Sequence, residues 1–153
     1  MDFEKPSFMA HALDAAGAAL LRGEVPVGAV VVHHPTERIV GRAGNQTVGR
    51  NDPTGHAEIL ALRQAGQALG GYRLTECDLY VTLEPCAMCA GAISHARIRR
   101  LYYGAADGKG GAVENGVRFF QQPTCHHAPE VYPGIDEARA AELLRRFFQQ
   151  KRL

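Results

Sequence analysis

One histidine and two cysteines oblige this chain to fold so that two distant segments meet. The segments are His56-Ala57-Glu58 and Pro85-Cys86-Ala87-Met88-Cys89. An imidazole and a Cys-x-x-Cys pair are zinc-type donors, and zinc takes its ligands in a tetrahedron. His56, Cys86 and Cys89 fill three positions and leave the fourth for water, which separates a catalytic site from a structural one. Two thiolates, one neutral imidazole and Zn2+ carry no net charge together, so burial is tolerable. Glu58 stands two residues from the histidine, and a purely structural site has no use for it. A carboxylate beside the metal that is not itself a ligand can take a proton and return it.

Local structure must bring these groups together. Positions two apart lie roughly 200° apart around a helix. His56 and Glu58 therefore flank one pocket only if a helix N-terminus points into it. Asp52-Pro53 supplies the helix start, with Asp52 or Thr54 as N-cap. Pro85 starts a second helix whose first turn carries Cys86 and Cys89, where the positive end of the dipole favours thiolate.

Other chemistries share these residue types. A Cys-x-x-Cys pair alone serves as a redox centre in thioredoxin-like proteins. A structural zinc site needs a fourth protein ligand. Cys77, Cys125, His126 and His127 are the candidates, and none has the usual short pairing with the others. The H-x-E…P-C-x-x-C spacing is instead that of the zinc nucleobase deaminases. In that chemistry zinc lowers the pKa of its water from about 15.7 to about 7. The hydroxide attacks the amine-bearing ring carbon, C6 in adenine. Glu58 then shuttles protons to a ring nitrogen and to the departing ammonia.

The rest of the chain reads as an α/β pattern. Residues 7–22 predict a helix with Phe8, Ala12, Ala15, Ala16, Ala19 and Leu20 as its apolar stripe. Val27–Val32 is a buried strand, His34-Pro35-Thr36-Glu37 a turn, and Ile39–Ala43 a returning strand. A helix over Thr54–Leu69 stops at Gly70-Gly71. Asp78–Leu83 is a third strand leading into a helix at Cys86–His95, and Arg99–Tyr103 a fourth. Val131 and its neighbours add a short fifth. Asp136–Gln150 is a helix with Ala140, Leu143, Leu144 and Phe147 on one side. This order predicts a mixed sheet of about five strands with helices on both faces, in one domain over residues 1–153. Both metal-bearing helices then begin at the carboxyl ends of strands, where such sheets hold ligands. Residues 105–127 are the least regular part, with Phe119-Phe120 as an apolar anchor. Cys125-His126-His127 within it is a candidate second metal site, or else a pocket wall or dimer surface.

Composition narrows the setting. The 153 residues are 46% hydrophobic and 22% charged, as in soluble globular proteins. No apolar run approaches ~18 residues, and residues 1–10 lack the basic start and apolar core of a signal peptide. Four cysteines, two of them assigned to metal, favour a reducing compartment, by default the cytoplasm. Net charge is +1 from 17 basic and 16 acidic residues, so any affinity for nucleic acid must be local. Arg97, Arg99 and Arg100 form one basic cluster, and Arg145, Arg146, Lys151 and Arg152 another; each is either a phosphate contact or a solvated face.

Beyond the zinc signature, several stretches resemble the bacterial tRNA-specific adenosine deaminases, within the zinc-dependent cytidine/deoxycytidylate deaminase superfamily. They are Glu24–Val30, Asn45 ahead of Asn51–Thr54, His56–Ile59, Tyr80–Cys86, Cys89–Ile93, Arg97-Ile98 and Phe147-Phe148. The resemblance implies a three-layer α/β/α cytidine-deaminase-like fold with one zinc per subunit, in a homodimer. It implies conversion of adenosine to inosine at the wobble position, with a tRNA anticodon stem-loop as partner and no membrane. It also implies that Asn45 hydrogen-bonds the target nucleotide, Val25 lines the base pocket, and Asp107 lies near the sugar-phosphate backbone, where it senses a 2′-hydroxyl. Gly55 departs from the alanine usual in the family, and residues 109–134 follow the family less closely.

Two rivals remain. A free-nucleobase deaminase acting on guanine or cytosine shares the zinc signature. Such an enzyme more often closes its pocket with its own C-terminus, so the placement of Phe147-Phe148 discriminates. A catalytically silent zinc module that binds RNA or a protein is the other, and Glu58 argues against it.

Overall fold

A computed structural model describes residues 7–151. Ser7 opens the first helix, its Oγ accepting the Ala10 amide at 3.1 Å. Helix α1 (Phe8–Leu21) is followed by the hairpin β1 (Gly28–His33) and β2 (Arg38–Gly44). Then come α2 (Ala57–Leu69), β3 (Cys77–Leu83), α3 (Ala87–Ala96) and β4 (Arg100–Ala105). A 3-10 turn at Phe119–Gln121, β5 (Glu130–Tyr132) and α4 (Glu137–Lys151) complete the order.

The five strands lie in the order β2-β1-β3-β4-β5. Strand β1 is antiparallel to both neighbours, whereas β3, β4 and β5 run parallel. Strands β2 and β3 therefore point the same way, with β1 running back between them. Side-chain alternation assigns the layers. Ala29, Val31, Leu79 and Val81 pack under α2 and α3, while Val30, Val32 and half-buried Tyr80 pack with α1 and α4. Burial on both faces explains why β1 is continuously apolar. The result is the expected three-layer α/β/α arrangement around a mixed sheet.

Two glycines set the layer spacing. A Cβ on Gly28 would stand 2.0 Å from the Ala12 carbonyl oxygen, and one on Gly41 would stand 2.2 Å from that of Ala61. Helix α1 thus rests directly on β1, and α2 on β2, with alanines at both contacts. The stripe expected on α1 is partly shifted: Met9 and Leu13 are buried, whereas Phe8 and Leu20 are half-buried. On α4, Ala140 and Phe147 are buried while Leu143 and Leu144 are half-buried against the α1 layer. Arg152 lies outside the described residues.

Helix starts differ most from expectation. Helix α2 begins at Ala57 with His56 as N-cap, so neither Asp52 nor Thr54 caps it. Asp52 Oδ1 instead accepts the Thr54 amide at 2.9 Å and its hydroxyl at 2.8 Å, closing a turn ahead of the helix. Helix α3 begins at Ala87, with Cys86 rather than Pro85 at its threshold. Strand β4 runs over Arg100–Ala105, later at both ends than Arg99–Tyr103. No helix among the described residues is long and apolar enough to cross a membrane.

Gly28→Ala tests the α1–β1 contact. Its added methyl has nowhere to go, so urea unfolding should show a loss of about 2–3 kcal/mol. An unchanged midpoint would mean that α1 does not press on β1.

Candidate active site

Parallel directions of β2 and β3 place the starts of α2 and α3 on one side of the sheet, at the carboxyl ends of the strands. Strand β1 begins there, so its leading segment, Val25 to Val27, lies between the two helix starts. This puts apolar side chains beside the metal ligands.

His56 and Cys86 are both N-caps in extended backbone, at φ −74° and −75°, and neither side chain bonds its own helix amides. Both are thereby free to turn toward each other. His56 Nδ1 lies 3.6 Å from Cys86 Sγ and 3.5 Å from Cys89 Sγ. The three ligand atoms all fall within 4.8 Å of one another. This donor set, one imidazole and two thiols with an open side, fits a zinc ion that keeps one position for water. The chain supplies much of the charge it needs. Hydrogen bonds from Cys89 and then His56 lower the Cys86 thiol to about 4, within thiolate range at neutral pH. The reciprocal bond and burial push the Cys89 thiol up, so the buried partner depends on a cation to ionise.

Glu58 occupies the first turn of α2 and is only 4% exposed. Burial raises its pKa above the usual carboxylate range, so it holds a proton more readily than a surface glutamate. Because His56 precedes the helix, the angle expected from two helical positions does not apply, and both side chains reach one cavity.

That cavity has a volume of about 310 Å³. Six of the seven residues expected in the site line it: Val25, Asn45, His56, Glu58, Cys86 and Asp107. Cys89 lies fully buried beneath them. Val27, Thr47, Leu83, Glu84 and Gly110 complete the lining and were not anticipated. The signal for Glu84 was an acid directly before Pro-Cys at the end of a buried strand. Its carboxylate accepts five hydrogen bonds from the segment after β4. Burial pushes its pKa up, but the bonds from Asp107, Asn115 and Glu114 outweigh that and hold it below the usual range. Glu24, 3% exposed, does similar work opposite. It accepts the Val48 amide at 3.2 Å, the Gly49 amide at 2.7 Å and Asn45 Nδ2 at 3.4 Å.

Other candidates go elsewhere. Among the described residues, His56, Cys86 and Cys89 form the one group with metal-binding geometry. Cys125 Sγ and Ser94 Oγ both donate to the His127 carbonyl, at 3.1 and 2.7 Å, and His127 Nε2 meets the Ile98 carbonyl at 2.7 Å. These side chains pin a turn against α3. Burial raises the Cys77 thiol to about 11. The first basic cluster is largely neutralised: Arg99 donates to both Asp78 oxygens, at 2.9 and 2.6 Å, and Arg100 to Glu130 at 2.8 Å. In the second, Arg145 and Arg146 share a single acid, Glu142, which leaves surplus positive charge.

A zinc-type triad with a buried non-ligand glutamate, at the strand ends of a three-layer α/β/α fold, is the arrangement of a hydrolytic deaminase. The chain belongs to the cytidine and deoxycytidylate deaminases, whose zinc-binding region matches residues 4–105. On sequence it sits among that family's tRNA-specific adenosine deaminases. The enzyme of that name from Agrobacterium fabrum (strain C58 / ATCC 33970) is 61% identical over 150 residues, 98% of this chain and 97% of its own. A solved tRNA:A34 deaminase, studied for A-to-I editing at the wobble position of transfer RNA, matches with a TM-score of 0.87. Its identity is 62%, over 90% of this chain and 98% of its own. A guanine deaminase from Bacillus subtilis is more distant, with a TM-score of 0.64 and 30% identity over 99% and 96% of the two chains.

Cys86→Ala removes one of three donors. At free zinc about 100-fold above the wild-type Kd, binding contributes about 2.7 kcal/mol of stability. Loss of the site should therefore lower Tm by roughly 5–10 °C and abolish zinc in elemental analysis. Unaltered zinc content would refute the ligand assignment.

Proposed function

We propose that this protein converts adenosine to inosine at the wobble position of a tRNA anticodon, with residues 1–153 acting as one deaminase domain in a homodimer in the cytoplasm. The observation that carries the reading is the triad with Glu58 inside a cavity that α4 does not close. Among the described residues, none after Gly110 lines that cavity. Helix α4 packs against α1 and β4 on the opposite face of the sheet through Ala140, Leu143 and Leu144, and its Phe147 is buried. A pocket left open by the C-terminal helix suits a nucleotide that arrives attached to a chain. The likeness to tRNA-specific adenosine deaminases over nearly the full length supports the same substrate.

His56, Cys86 and Cys89 would hold the zinc, which when bound would make hydroxide available at neutral pH. Glu58 takes one proton from the attacking water and gives it to a ring nitrogen. It then takes the remaining hydroxyl proton as the carbonyl forms and gives it to the departing amine, which leaves as ammonia. Its buried setting suits a group that must carry a proton between steps. Val25, Val27 and Leu83 exclude water around the base. Asn45 Nδ2 donates to Glu24 Oε1 at 3.4 Å and to Thr47 Oγ1 at 3.3 Å. Its Oδ1 is thereby left to accept from the nucleotide. Asp107 Oδ1 accepts the amides of Lys109 and Gly110, at 3.1 and 2.9 Å, which leaves Oδ2 for a sugar hydroxyl. A 2′-hydroxyl there favours RNA over DNA. Anticodon loops are already single-stranded, so presenting the base costs little.

Zinc-loaded protein incubated with an anticodon stem-loop carrying a wobble adenosine should yield inosine, while free guanine and cytosine yield no ammonia. Ammonia from a free base, with no inosine in RNA, would move the enzyme to nucleobase metabolism. Glu58→Ala should retain zinc and lose at least about 100-fold in kcat; retained turnover would remove Glu58 from the mechanism. Activity on the stem-loop should fall with salt at a log–log slope of about −2 or steeper, as expected for about three phosphate contacts. Activity on free adenosine should stay flat.

A further inference from the structure

Glu84 takes no part in the chemistry described above, yet it is 2% exposed, carries a charge-bearing group and lies two residues from Cys86. Its Oε1 accepts the Asp107 amide at 3.0 Å and Asn115 Nδ2 at 2.7 Å. Its Oε2 accepts the amides of Val113, Glu114 and Asn115 at 3.1, 2.9 and 3.0 Å. A carboxylate has about four lone-pair sites. Five donors saturate it, so it has no capacity left for substrate or metal. The segment is drawn so close that a Cβ on Gly111 would meet Glu84 Oε1 at 2.7 Å. The next residue, Pro85, adds its carbonyl, which accepts the Ala112 amide at 2.9 Å. Three consecutive residues thus bind the loop twice and then supply a metal ligand.

We propose that Glu84 is a positioning residue for the deamination reaction: its carboxylate gathers residues 107–116 into the sugar-side wall and sets where Asp107 stands relative to the cysteine ligands. The ends of the segment meet at one oxygen pair, since Asp107 and Asn115 both donate to Oε1. The wall therefore closes on Glu84 as a ring, and Asp107 has its own amide in that ring. Its free Oδ2 is held at the rim by a bond that begins one residue from Pro85-Cys86. This rests on the role of Asp107 in contacting the nucleotide's sugar.

The test compares wild type with Glu84→Gln. An amide at this place keeps the shape but turns a donor toward backbone donors, so one oxygen's set of partners is lost. Hydrogen exchange of peptides covering 107–116 should lose protection by at least about tenfold, the scale of a hydrogen bond to a charged group, while α2 and α3 peptides are unchanged. Zinc content should be unaltered. KM for the anticodon stem-loop should rise about tenfold, with kcat within about threefold. In an Asp107→Ala background the same substitution should no longer raise KM. Loss of zinc, an unchanged KM, or an equal KM effect without Asp107 would each overturn the proposal. If Glu84→Gln does not fold, Asn115→Ala removes one of the five bonds and keeps the charge. It should raise KM about threefold at constant kcat, and no rise would overturn the proposal as well. Wild type on the same stem-loop is the control. Inactivity there would sink the RNA reading, whereas an active wild type with unaffected variants would sink this proposal alone.

Discussion

Two helices can aim their first residues at one point only if the strands feeding them end on the same side of a sheet. Here that constraint is met by running β1 backwards between β2 and β3. The antiparallel strand makes β2 and β3 co-directional, and its own leading segment fills the gap between the helix starts. Gly28 and Gly41 then let α1 and α2 lie against the sheet at backbone distance. His56, Cys86 and Val25 meet because of this geometry, and the chemistry of the cavity follows from their meeting.

Around that centre the protein uses buried acids as anchors for backbone. Glu24 holds the turn after β2, and Glu84 holds the segment after β4. Burial of a carboxylate is costly unless its oxygens are satisfied. Both satisfy them with main-chain amides, which converts two irregular loops into fixed walls. Glu58 differs in kind. Its burial is only partly compensated, and its affinity for a proton rises accordingly.

What could be read from residues alone was whatever depends on local chemistry or alternation. The clustering of His56, Cys86 and Cys89 was legible because their spacing is dictated by coordination, and the place of Glu58 in the cavity because it stands two residues from His56. Strand β1 was legible as a two-faced strand because every position from Val27 to Val32 is apolar or small. The helix starts were misjudged because Asp52 and Thr54 are good caps by type, but Asp52 spends its oxygen on Thr54 within a preceding turn. Whether Arg99 and Arg100 form a phosphate contact or a solvated face stays open in the sequence because their partners, Asp78 and Glu130, become neighbours only through strand pairing. Glu24 and Glu84 were missed as anchors for a related reason: an acid that binds distant amides leaves no periodic mark, and the place of Glu84 directly before Pro-Cys was the one signal available.

The cavity draws its lining from residues 25 to 110, while α4 leans on the far face of the sheet. The fold is therefore modular in an evolutionary sense. Exposed positions of α4 can vary without touching the cavity, because among the described residues its lining comes only from positions 25 to 110.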